Sequence, residues 1–171
     1  MTVKVKKIIN HIKKYSKEKN RQGMARFGIR VEYALGASMP VLRDLAKKLG
    51  KDHKLAAELW VTKIHEARIL ACLIDDPKLV SETQMEKWVS AFNSWDLCDQ
   101  CCMNLFDKTG LAEKKAIEWA RRKEEFVRRA GFALMAVLAV HDKEMPDKDF
   151  LKFFSLIEKT ASDERNFVKK A

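Results

Sequence analysis

Along almost the whole chain the apolar residues recur at three- and four-residue steps, and no segment alternates convincingly as a strand does. Such a pattern restricts the fold to packed helices. From Thr2 to Lys19, Val3, Val5, Ile8, Ile9, Ile12 and Tyr15 form one apolar stripe with lysines opposite, which predicts a basic amphipathic N-terminal helix over residues 1–19. Asn20 to Ala37, with three glycines, reads as loop around one short helical piece. Ser38 and Pro40 open a helix that Gly50 stops, and Asp52 caps the next, from His53 to about Thr62. Further helices are expected over Ile64–Ile74, from Ser81 to about Phe92 with Gln84 completing a capping box, and over Trp95–Phe106. Leu111–Lys123, Glu125–His141, Asp147–Ala161 and a last one begun at Asp163 complete the series.

The wording of the last segment repeats an earlier one. Asn166-Phe167-Val168-Lys169-Lys170-Ala171 echoes Glu125-Phe126-Val127-Arg128-Arg129-Ala130 at an offset of 41 residues. That is the period of a helical-pair repeat of the HEAT or armadillo kind, in which each pair buries its apolar faces only against its neighbours. The expected fold is therefore all-α, a HEAT-like helical-repeat solenoid (an α-α superhelix), with a closed bundle as the alternative. At 171 residues, 47% of them hydrophobic, the chain suits a single domain over 1–171 with a sizeable core. The echo breaks off at Ala171, so a further C-terminal repeat is missing or the uncapped apolar face serves self-association.

Charge narrows the function classes. Residues 1–54 hold fifteen Lys/Arg against four Asp/Glu, a balance of +11, whereas the remaining 117 hold nineteen against twenty. A local excess of this size attracts polyanions, nucleic acid first among them. No apolar run approaches the roughly 20 residues of a membrane span, and no secretory leader pattern follows Met1–Lys7. The chain is expected in the cytoplasm, without a membrane partner. Cys98, Cys101 and Cys102 carry half of a zinc spacing but lack a fourth ligand, and the four histidines are scattered. Core packing accounts for the thiols better than a metal does.

Two constellations can carry chemistry. Trp95 and Asp99 stand four apart on one helix face, with Asp96 in the first turn favoured by the helix dipole. Arg128 and Arg129 lie near a helix N-terminus, where cations oppose the macrodipole, so they need an anionic partner: Glu124 and Glu125, or a phosphate.

The runs IHEARILACLIDD (Ile64–Asp76), SWDLCDQCCMNLFDKT (Ser94–Thr109) and EEFVRRAGFALMA (Glu124–Ala136), in this order, resemble the DNA alkylation repair family of HEAT-like glycosylases. The resemblance extends from about Phe27 to the C-terminus. It implies an α-solenoid that binds double-stranded DNA and hydrolyses the N-glycosidic bond of cationic alkylated purines such as 3-methyladenine and 7-methylguanine, with no cofactor and no metal. By position, the family's W-D-x-x-D motif falls on Trp95 and Asp99, the implied catalytic pair. DNA contact falls on Arg129, with Arg128 beside it, and on Asp96 between the motif's ends. The alternatives of another class are a non-catalytic nucleic-acid-binding solenoid and a protein-interaction scaffold.

Overall fold

The computed structural model describes all residues, Met1–Ala171, and contains helices and no strand. The chain divides into two compact units, Met1–Val80 and Ser81–Ala171.

The first unit contains α1 (Val3–Lys13), α2 (Glu18–Arg26), α3 (Met39–Leu49), α4 (His53–Trp60) and α5 (His65–Ile74). Asp52 accepts the amide of Leu55 and so caps α4, and Gly50 leaves α3 with φ +68°. Although it carries His65, Glu66 and Arg68, α5 is buried along almost its whole length, and α3 and α4 pack on it. The single helix expected over 1–19 is instead broken after Lys13. Val5, Ile8, Ile9 and Ile12 are buried, but the next positions on that stripe, Tyr15 and Ser16, are exposed, so no burial holds another turn together. A second helix, α2, then starts at Glu18, two residues before the stretch read as mostly loop, and runs into it as far as Arg26, burying no residue.

The second unit contains α6 (Glu82–Val89), α7 (Trp95–Asn104), a 3-10 turn (Phe106–Lys108), α8 (Ala112–Ala120), α9 (Glu125–His141), α10 (Asp147–Thr160) and α11 (Asn166–Lys169). Its centre is α9, with α7 and α8 as its closest neighbours and α10 and α11 also against it. Gly131 makes the α8–α9 approach feasible: a Cβ there would lie 2.2 Å from the Ala120 nitrogen and 2.8 Å from the Ala116 oxygen. The echoed segments meet as neighbouring repeats would, with the rings of Phe126 and Phe167 5.7 Å apart. Near the C-terminus, where an apolar face is expected, Phe132, Met135, Phe153, Phe154 and Ile157 line an open groove of about 660 Å³.

Candidate functional site

The N-terminus of α7 sets the first half of the site. Ser94 is extended and buried, so the helix begins at Trp95, with the Asp96 carboxylate in its first turn where the macrodipole favours an acid. Asp99 follows one turn after Trp95. On the core side of α7, Cys98 and Cys102 are free, buried thiols that reach the carbonyls of Phe126 and Ala130, each at 3.7 Å. These contacts seat α7 against the first two turns of α9. Burial pushes the Cys102 thiol well above its ordinary value. No group of three or more His, Cys, Asp or Glu side chains is arranged to hold a metal ion.

The second half comes from α9. Arg129 lies two residues from Gly131, about 200° around the helix. With Gly131 pressed on α8, Arg129 therefore points the other way, toward α7. Its guanidinium forks onto Asp99, Nε donating to Oδ1 at 2.9 Å and Nη2 to Oδ2 at 2.7 Å. Nη1 donates to the Phe167 carbonyl at 2.6 Å, and Cζ lies 6.0 Å from the Trp95 ring centroid. Arg129 is 6% exposed, while the Asp99 side chain keeps 28% of its surface open. Burial opposes the Arg129 charge, but the hydrogen bonds and charge of Asp99 outweigh it and raise the guanidinium pKa.

The structure thus brings Trp95, Asp99 and Arg129 into one cluster built by two helices. Arg128, 100° around α9 from Arg129, is placed elsewhere. Its Nε donates to the Arg122 carbonyl at 2.6 Å and its Nη1 to Asp163 at 2.8 Å, where Arg165 also binds. Asp96 is half-buried beside Trp95. Neither glutamate expected to neutralise the arginine pair does so by direct contact. Glu124 pairs with Arg122 instead, and the partners are Asp99 and Asp163, 30 and 35 residues away. Sequence spacing carries no signal for contacts this distant, although opposite charges on facing helices are the residue types such a contact needs.

Chemically, the cluster offers a half-open carboxylate, an indole beside it and a guanidinium. Three of the five N–H groups of that guanidinium are spent within the protein. The basic first third contributes exposed cations in the other unit, among them Lys6, Lys7, Lys13, Lys14 and Lys19.

Comparison with known proteins yields a family. The model of the family described as DNA alkylation repair enzyme matches residues 8–171. A solved structure from a family described as related to the HEAT-like repeat DNA glycosylases, with affinity for branched DNA structures, superposes with TM-score 0.86 at 21% identity. The alignment covers 97% of this chain and 71% of that one, and it identifies the fold as all-α and HEAT-like. Among curated proteins none matches. With almost its entire length matched by the family model, the chain belongs to the DNA alkylation repair enzyme family.

Proposed function

We propose that this protein binds double-stranded DNA and hydrolyses the N-glycosidic bond of cationic alkylated purines such as 3-methyladenine and 7-methylguanine. The observation that carries this reading is the convergence of Trp95, Asp99 and Arg129 from two helices.

An alkylated purine already carries positive charge. When the C1′–N bond breaks, its electron pair passes to the purine nitrogen and the base leaves neutral, so no general acid is needed. The demand falls on the deoxyribose, which becomes oxocarbenium-like. Asp99 stabilises that charge, orients the attacking water and takes up the proton lost as the water oxygen bonds C1′. Trp95 packs against the sugar. Arg129 holds Asp99 in place through its fork and offers its two remaining N–H groups to a backbone phosphate. A phosphate there draws guanidinium charge away from Asp99 and leaves the carboxylate more negative when the sugar needs it.

The test is release of methylated purine from alkylated duplex, followed by chromatography. Wild-type protein is expected to release base, and Asp99→Asn to lose about a hundredfold or more in rate while keeping DNA affinity within a few-fold. No release by wild type overturns the reading. A second reading, DNA binding without excision, is favoured by one feature: both Asp99 oxygens are engaged by Arg129, which offsets the charge the reaction uses. The affinity of the similar protein for branched DNA supports it. Salt-dependent binding with no base release is its signature.

A further inference from the structure

The two adjacent arginines of α9 point apart, yet both reach the same C-terminal segment. Arg129 donates from Nη1 to the Phe167 carbonyl at 2.6 Å. Arg128 spans two turns: its Nε donates to the Arg122 carbonyl, in the α8–α9 turn, at 2.6 Å, and its Nη1 to Asp163, in the α10–α11 turn, at 2.8 Å. Arg165 completes the tie, forking onto Asp163 while its Nη1 donates to the Lys123 carbonyl. Between these bonds the rings of Phe126 and Phe167 meet.

The 41-residue echo shows what is particular about position 163. Arg122 and Glu124 pair within the α8–α9 turn, and their counterparts one repeat on, Asp163 and Arg165, pair within the α10–α11 turn with the signs exchanged. The exchange puts an acid where the preceding repeat has a cation, so a cation on α9 can bind across to it. Asp163 keeps only 7% of its side-chain surface exposed and is neutralised by Arg165 and Arg128 together. Such ties matter to α11, which has four residues and buries Val168 alone, because a single helical turn does not hold itself.

We propose that Arg128 is a positioning residue for the cluster of Trp95, Asp99 and Arg129: it fastens α11 to α9 so that the Phe167 carbonyl fixes the Arg129 guanidinium, whose fork orients the Asp99 carboxylate. A guanidinium is planar, so its bonds to Asp99 and to Phe167 turn together, and holding one end holds the other. A carboxylate that must face a developing charge tolerates little displacement. Arg128 acts through Arg129 rather than on a phosphate. The catalytic consequence rests on the excision proposed above, whereas the positioning itself is measurable without it.

The test uses the full chain and two readouts: single-turnover base release from alkylated duplex, and the side-chain Nε–H signal of Arg129 in nitrogen–proton correlation spectra, assigned from the backbone. Wild type is expected to protect this proton from solvent exchange, since it is bonded to a carboxylate within a packed cluster. Arg128→Met leaves Asp163 with Arg165 as counter-charge, and it is expected to fold and to exchange the Arg129 proton about tenfold faster. Its base release should slow about ten- to a hundredfold, with duplex affinity within about twofold. Arg128→Lys keeps the charge but cannot span a carbonyl and a carboxylate as the planar fork does, so it is expected to behave like Arg128→Met. Arg122→Gln retains the backbone carbonyl that Arg128 uses and is expected to leave the Arg129 signal unchanged. Circular dichroism melts separate a loosened site from a lost fold, and Arg128→Lys carries the comparison if Arg128→Met does not fold. An unprotected Arg129 proton in wild type, or an unchanged one in the Arg128 variants, overturns the positioning role. So does wild-type affinity and rate in Arg128→Lys beside a loss of both in Arg128→Met, which marks a phosphate contact. Faster exchange in Arg128→Met with no base release by wild type supports the positioning and removes the excision reading alone.

Discussion

Asp99 carries two loads, and they pull apart. Replacing its carboxylate removes the counter-charge from a guanidinium that is 6% exposed, so Asp99→Asn should cost stability as well as activity. About 2–3 kcal/mol is expected in urea denaturation, because a buried cation is left with neutral acceptors only, the new amide oxygen and the Phe167 carbonyl, in place of a carboxylate. Asp163 has a simpler role. Hydrogen bonds from Arg165, and then Arg128, hold its carboxyl well below the usual carboxylate range against the opposing effect of burial. Its folded-state pKa is depressed, so its contribution is complete above about pH 4–5 and is lost as pH falls toward the folded value. Wild type should exceed Asp163→Asn by about 1 kcal/mol at pH 7, after allowance for solvent screening, with the gap closing below pH 4 in pH-dependent melts. Lys115, 3% exposed, gathers Glu82, Glu86 and Glu118. Burial opposes its charge, but the three carboxylates outweigh it and raise its pKa.

Helix boundaries were legible wherever a local device sets them. Asp52 caps α4, Ser81 accepts the Gln84 amide at the start of α6, and α9 spans Glu125–His141 as its periodicity predicts. The expectation failed at α1 and α2, because lysine-rich segments satisfy helical periodicity whether or not a core exists to hold them. At this scale the sensitive point is Gly131. In isolation Gly131→Ala should strengthen a helix, yet the added methyl meets the α8 backbone at Ala120 and Ala116, which cannot move aside as a side chain can. Loss of about 3 kcal/mol is expected by thermal or urea unfolding. Since Gly131 also sets where Arg129 points, base release should fall with it. Unchanged stability in that variant would mean the two helices are further apart than described.

The chain as a whole has a lopsided charge, with the entire excess in residues 1–54, and no helix long and apolar enough to cross a membrane. If this excess binds DNA phosphates, affinity must fall steeply with salt, because each neutralised phosphate releases condensed counterions. With six or more contacts, the dissociation constant should rise about a thousandfold between 50 and 200 mM salt, as measured by fluorescence anisotropy. A scaffold that recognises protein would show a shallow dependence.

Periodicity, caps and the 41-residue echo carried the all-helical repeat character of this protein, because those signals depend on neighbours within a turn or two. The one-face placement of Trp95 and Asp99 was legible for the same reason. Tertiary structure alone decided that Arg129, and not Arg128, meets Asp99, that Asp163 takes Arg128, and that Glu66 spends its charge on the loop bearing Phe27 and Tyr33. Each of these contacts joins residues 30 or more positions apart, and which acid meets which cation depends on how closely the helices pack. Between α8 and α9 that closeness turns on the missing Cβ of Gly131.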